Sequence, residues 1–71
     1  MKTERVWFEV RVGDGSNPNT TLEEARAYVA DMKTGFKLKH PEMTEENRSY
    51  HKRVSEKAEI YKIIQSAEKI V

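Results

Sequence analysis

Few residues of this chain are of a type that does chemistry, and they are scattered. His40 and His51 are its two histidines, and it has no cysteine. Metal sites space their ligands at short regular intervals, as in H-E-x-x-H, and neither histidine has a second ligand-type residue at such an interval. Both are therefore read as surface residues. Ser49, His51 and Glu56 supply the residue types of a nucleophilic triad. Their spacing neither orients a base against the serine nor supplies oxyanion donors. Gly13 and Gly15 open the stretch G-D-G-S-N-P-N, but Pro18 stands where a phosphate loop needs a third glycine and no G-K-S/T follows. Ser16 and Pro18 also depart from the oxygen-ligand pattern of a calcium loop. Asn19-Thr20-Thr21 matches a glycosylation sequon, which has meaning only on a secretory route. The expectation is a chain without catalytic activity, metal or cofactor.

Binding residues are more promising. Trp7 sits in E-R-V-W-F-E-V-R-V among Arg5, Glu9 and Arg11. An indole on a charged face is either covered by another part of the same chain or kept for a partner, since Trp and Arg are enriched at interface hot spots. Arg5, Trp7, Glu9 and Arg11 are thus the candidate protein interface. The second candidate lies in residues 33–57, where seven basic residues stand against four acidic ones for a local charge of +3. Arg48, His51, Lys52, Arg53 and Lys57, helped by stacking of Tyr50, are the candidate nucleic-acid contacts. The competing reading is a solvated helix face crossed by i,i+3 pairs such as Glu45 with Arg48. It is preferred because nucleic-acid modules carry a stronger basic excess.

Composition sets the limits within which these residues work. A chain of 71 residues forms one domain, near the size where a core leaves only about 3–5 kcal/mol of net stability. It also has little interior for a substrate pocket of about 300 Å³. Charged residues make up 35% and hydrophobic ones 37%, with 13 basic and 12 acidic side chains, which suits a soluble and heavily solvated surface. Without cysteine, packing or association must hold the fold. The start M-K-T-E-R-V carries no apolar run of signal-peptide length, and no segment reaches the ~20 apolar residues of a membrane span. A cytoplasmic location is expected.

The elements that position these residues follow from periodicity. Over residues 4–12 Val6, Phe8, Val10 and Val12 share one face and Arg5, Trp7, Glu9 and Arg11 the other, the period of a strand. G-D-G-S-N-P-N reads as the turn that ends it. Residues 20–33 read as a helix, with Thr20 or Thr21 as N-cap, a stripe of Leu22, Ala25, Val29 and Met32 flanked by Tyr28, and Gly35 as a left-handed stop. Phe36 should fold back onto the helix end, and residues 36–40 alternate briefly, as an extended segment or a very short strand. Thr44 caps a second helix over residues 44–57, whose expected inward stripe is Met43, Asn47, Tyr50, Val54 and Ala58.

Residues 58–71 admit two readings. Ile60, Ile63, Ile64, Ala67 and Ile70 fit a helical face, while the β-branched and aromatic content of the segment suits a strand. The first strand needs a partner for its backbone groups, and a strand within residues 59–71 supplies one from the same chain. The expected fold is therefore a small two-layer α+β domain: N-terminal strand, two helices, and a C-terminal strand pairing with the first.

If the tail were helical, the element order would resemble the ribbon-helix-helix repressors. That resemblance implies a dimer whose paired N-terminal strands read the DNA major groove. The strand, the T-L-E-E-A-R helix and the closing I-Y-K-I segment also look like small uncharacterised bacteriophage-type α/β proteins. The function expected is a non-enzymatic protein-binding or accessory role, with a phage-encoded modulator of a host or viral protein as one form of it. The alternatives are a dimeric nucleic-acid binder and a structural subunit of a larger assembly. The partner expected is another protein, nucleic acid being second, with no membrane contact and with the chain as monomer or homodimer.

Overall fold

The computed structural model describes residues 2–13 and 15–71. Strand β1 (Lys2–Val12) is followed by strand β2 (Gly15–Asn19), helix α1 (Leu22–Lys33), helix α2 (Glu45–Ser55) and strand β3 (Glu59–Glu68). The sheet is antiparallel with order β2-β1-β3, so the first strand is central and the C-terminal strand is its mate. The chain is a small α+β domain. The tail of the repressor-like alternative would be helical; here it is a strand, paired from Lys2 against Glu68 to Arg11 against Glu59.

The segment read as a plain turn departs from expectation. Residues 15–19, G-S-N-P-N, return along β1 as a short edge strand, with Phe8 opposite Asn19 and Val12 opposite Gly15. Gly13, at φ 57°, supplies the positive-φ position of the reversal. Asp14, inside that predicted turn, lies outside the described residues. Pro18 is tolerated because an edge strand offers positions whose missing N–H faces away from the sheet.

The core is small and sits toward the C-terminal end of β1. Val10, on the even-numbered face, is 1% exposed and clusters with Ala25, Met32 and Phe36. Phe8, Val12, Tyr28, Val29, Val54 and Ile60 pack around this cluster. α1 lies over β1 and β2, α2 packs on α1, and both helices cover the even face alone.

Each helix is bounded as its sequence demands. Thr21 Oγ1 accepts from the Glu24 N–H at 3.1 Å, and the Glu24 carboxylate accepts from the Thr20 N–H at 3.0 Å, so the second of the two threonines is the cap. At the other end Gly35 N–H donates to Met32 O and Phe36 N–H to Asp31 O, the paired bonds of a Schellman stop. Gly35 (φ 65°) and Phe36 (φ 56°) are both left-handed, which turns Phe36 back against Tyr28. Residues 36–40 therefore coil as turns, not as a short strand. Thr44 caps α2 by accepting from the Asn47 N–H at 3.2 Å.

The sheet outruns its helices. β2 pairs only with residues 8–12 of β1, so residues 2–7 pair with β3 alone as a two-stranded ribbon. The radius of gyration is 15.6 Å, against about 11 Å for a compact chain of this length, and the longest dimension is 54 Å. On the ribbon Val6 is 42% and Ile64 59% exposed, although both lie on the face that the helices cover further along.

Candidate functional site

Strand alternation brings all four residues of the candidate protein interface, Arg5, Trp7, Glu9 and Arg11, to the face of β1 that carries no helix. Register then adds neighbours from both sides. Ile63 lies opposite Trp7, Tyr61 opposite Glu9, Gln65 opposite Arg5 and Glu59 opposite Arg11, all from β3. From β2, Pro18 lies opposite Glu9 and Ser16 opposite Arg11. Directly opposed residues share a face, so this is one continuous surface built on three strands.

Its polar groups are fixed to one another. The Trp7 indole N–H donates to Glu9 Oε1 at 3.3 Å, and Arg11 Nε donates to Glu9 Oε2 at 3.0 Å. The Arg11 guanidinium lies over the Tyr61 ring, 4.3 Å from its centroid, and the Tyr61 hydroxyl donates to Glu59 at 3.3 Å. Glu9 thus orients a tryptophan and an arginine at once, and Tyr61 supports the arginine from below. Such rigid amphipathic side chains bind at low entropic cost. Trp7 and Ile63 are half-buried, Arg5 and Arg11 exposed. Beside them Arg5, Val6, Trp7, Pro18, Asn19 and Thr20 line a shallow depression. The indole is therefore half-buried at the sheet surface, on the face that the helices do not cover. Tyr61 and Ile63 were missing from the sequence-derived site. Their alternation with Ile60, Lys62 and Ile64 would place them opposite Trp7 and Glu9 once the strand pairing is assumed.

The candidate nucleic-acid residues are not brought together. Arg48 is 7% exposed and points inward, where Nη1 donates to Gly35 O at 2.9 Å and Nη2 to Met43 O at 3.3 Å and His40 O at 3.4 Å. Its guanidinium clamps the 35–43 connection onto α2 and is not available to a phosphate. His51 is half-buried, its ring edge-on to Phe36 at 5.1 Å, which corrects its reading as a surface residue. Lys52, Arg53 and Lys57 remain exposed, with Arg53 over Tyr50 at 5.8 Å. The inward stripe of α2 is accordingly Arg48, His51 and Ser55 with Val54, about one residue round from the stripe expected on apolar spacing; Tyr50 is exposed. The pairing of Glu45 with Arg48 exists, at 3.6 Å.

The same connection carries other anchors. Lys39 pairs with Asp31 of α1 at 2.6 Å, and His40 lies beside the Glu42 carboxylate at 3.2 Å. Glu42's own backbone N–H, and after it His40, hold that carboxyl below its ordinary value. A cleft of about 200 Å³ opens between β1, β2 and the helices, lined by Val10, Val12, Tyr28, Met32, Tyr50, His51 and Val54. Its walls are mostly apolar; Ser16 and His51 also line it, and among the described residues no hydrogen bond joins them. Among the described residues no group of three or more His, Cys, Asp or Glu is placed to share a metal ion, and no helix is long and apolar enough to cross a membrane.

Comparison of the chain with protein-family models, with curated proteins and with solved structures finds no match, so the functional reading rests on this geometry.

Proposed function

We propose that this chain is a small protein-binding module that works by contact, not by catalysis, and that the helix-free face of its sheet is the contact. The observation that supports it is Trp7, directly opposite Ile63 on the face the helices leave uncovered, with its N–H fixed by Glu9 and Pro18 lining the depression beside it. Trp and Arg at the centre of a rigid patch are the side chains that carry interface energy. Arg5 and Arg11 favour a partner with acidic groups around an apolar centre. Binding would use a preformed surface, with little rearrangement on this side.

The test is capture from the native host's lysate on immobilised chain, compared with Trp7→Ala, Tyr61→Ala and, as control, Arg26→Ala on the exposed part of α1. A discrete partner retained by the wild type and the control, and lost with Trp7→Ala and Tyr61→Ala, supports the reading. Capture indifferent to both aromatic substitutions refutes it. A nucleic-acid role instead requires binding that weakens steeply with salt and depends on Lys52, Arg53 and Lys57; a low-salt mobility shift reads this directly.

A further inference from the structure

We infer that β3 is an interaction edge and that its occupant is β3 of a second copy, antiparallel about a two-fold axis at Gln65. β3 has ten residues and, among the described residues, pairs on one side only, with β1. Long unpaired edges are templates for another strand, and proteins that must stay single blunt them with prolines, bulges or like charges. β3 has no proline, and its charges are of both signs. The ribbon it forms with residues 2–7 exposes Val6 and Ile64 on one face and leaves Trp7 and Ile63 half-buried on the other, and two-stranded ribbons are marginal in water without a further strand.

The sequence of the edge is complementary to itself in one register. A two-fold axis normal to the sheet keeps each face on its own side, so residues whose numbers sum to an even value oppose one another. With Gln65 opposite Gln65 of the second copy, Lys62 meets Glu68, Ile64 meets Ser66, and Ile63 meets Ala67. Each pair occurs twice. Beyond the strand, Ile60 meets Ile70, a residue 84% exposed in the single chain. Centring on Ile64 sets Ile60 against Glu68, and centring on Ile63 sets Lys62 against Ile64. Centring on Lys62 opposes two lysines. Only the Gln65 axis sets Lys62 against Glu68, and cross-strand opposite charges favour it where like charges would oppose it.

The product is a six-stranded antiparallel sheet, β2-β1-β3-β3-β1-β2, with both Trp7 faces on the same side. The inference does not rest on the proposed partner surface: the edge joins through the β3 backbone, and Ile63 and Gln65 lie on both.

The test uses the full chain, whose lack of cysteine allows single cysteines to be introduced cleanly. Mass in solution is measured up to about 1 mM. We expect concentration-dependent growth to twice the 8.3 kDa of one chain. Gln65→Cys should then crosslink most efficiently in a scan of positions 63 to 67, since directly opposed strand residues lie about 4.5–5.5 Å apart, within disulfide reach. Lys62→Glu and Glu68→Lys should each weaken the dimer at least about tenfold and restore it when combined. Trp7→Ala should leave it unchanged. Both charge positions are exposed, so circular dichroism should show each variant folded. A chain that stays single at about 1 mM overturns the inference. So does a dimer whose crosslinking peaks elsewhere or whose double charge swap fails to recover.

Discussion

Replacing Arg48 by methionine separates a structural arginine from a ligand-binding one. Methionine keeps most of the aliphatic stem and removes the guanidinium, leaving Gly35 O and Met43 O without its donation while His40 O keeps the Met43 N–H. Hydrogen bonds from a charged group contribute about 1.5–3 kcal/mol each when well made. Here one is short, at 2.9 Å, and two are long, at 3.3 and 3.4 Å. His40 is exposed and Met43 half-buried, so water can replace part of what their carbonyls lose, whereas Gly35 is buried. The expected loss is about 2–4 kcal/mol, most of the ~3–5 kcal/mol that a domain of this size holds. Urea titration should show a collapsed midpoint, and Tm should fall by about 10–25 °C. Arg48→Lys should lie between, because one ammonium cannot reach three divergent carbonyls. Lys52→Met, on the same helix but exposed, should change stability by less than about 0.5 kcal/mol. If Arg48→Met were as mild as Lys52→Met, the clamp would carry no weight and the guanidinium would be free for another role.

Further outcomes follow from the same contacts. Gly35→Ala should cost about 2–4 kcal/mol in urea titration, from about 1–2 for a left-handed alanine and the rest because its Cβ would land on Arg48 Cγ. Thr21→Ala and Thr44→Ala should each cost about 0.5–2 kcal/mol, read as loss of helix signal and of Tm. Glu42 should titrate below the ordinary glutamate range in an NMR pH series, and His40→Ala should move it part of the way back up. Its small stabilising effect is present above the unfolded-state value and fades as pH falls through the lowered one; unchanged titration in His40→Ala would remove that contact.

What could be read from the sequence was what backbone periodicity encodes. Strict alternation in residues 4–12 placed Arg5, Trp7, Glu9 and Arg11 on one face, and the need of that strand for a mate chose strand over helix for the tail, against an apolar spacing that fits both. Thr44 and Gly35 were legible because caps and left-handed stops have local chemistry. β2 was hidden because G-S-N-P-N has the composition of a turn, and an edge strand gets its pairing from β1, not from its own propensity. Arg48 was hidden for the opposite reason. Its burial depends on three carbonyls contributed by a loop whose path follows from two consecutive left-handed residues, and nothing in residues 45–55 alone records that path. The same shift turned Tyr50 outward and His51 inward. Tyr61 and Ile63 needed the register before they could join Trp7.

The contact role of the helix-free face is tested most directly at its single tryptophan. Chain labelled with 5-fluorotryptophan gives one fluorine resonance, from Trp7, which can be followed as a captured partner is added. Burial of the indole in the complex should shift and broaden that signal in proportion to occupancy. A complex that forms while the resonance stays where it was would place the contact elsewhere and contradict the account.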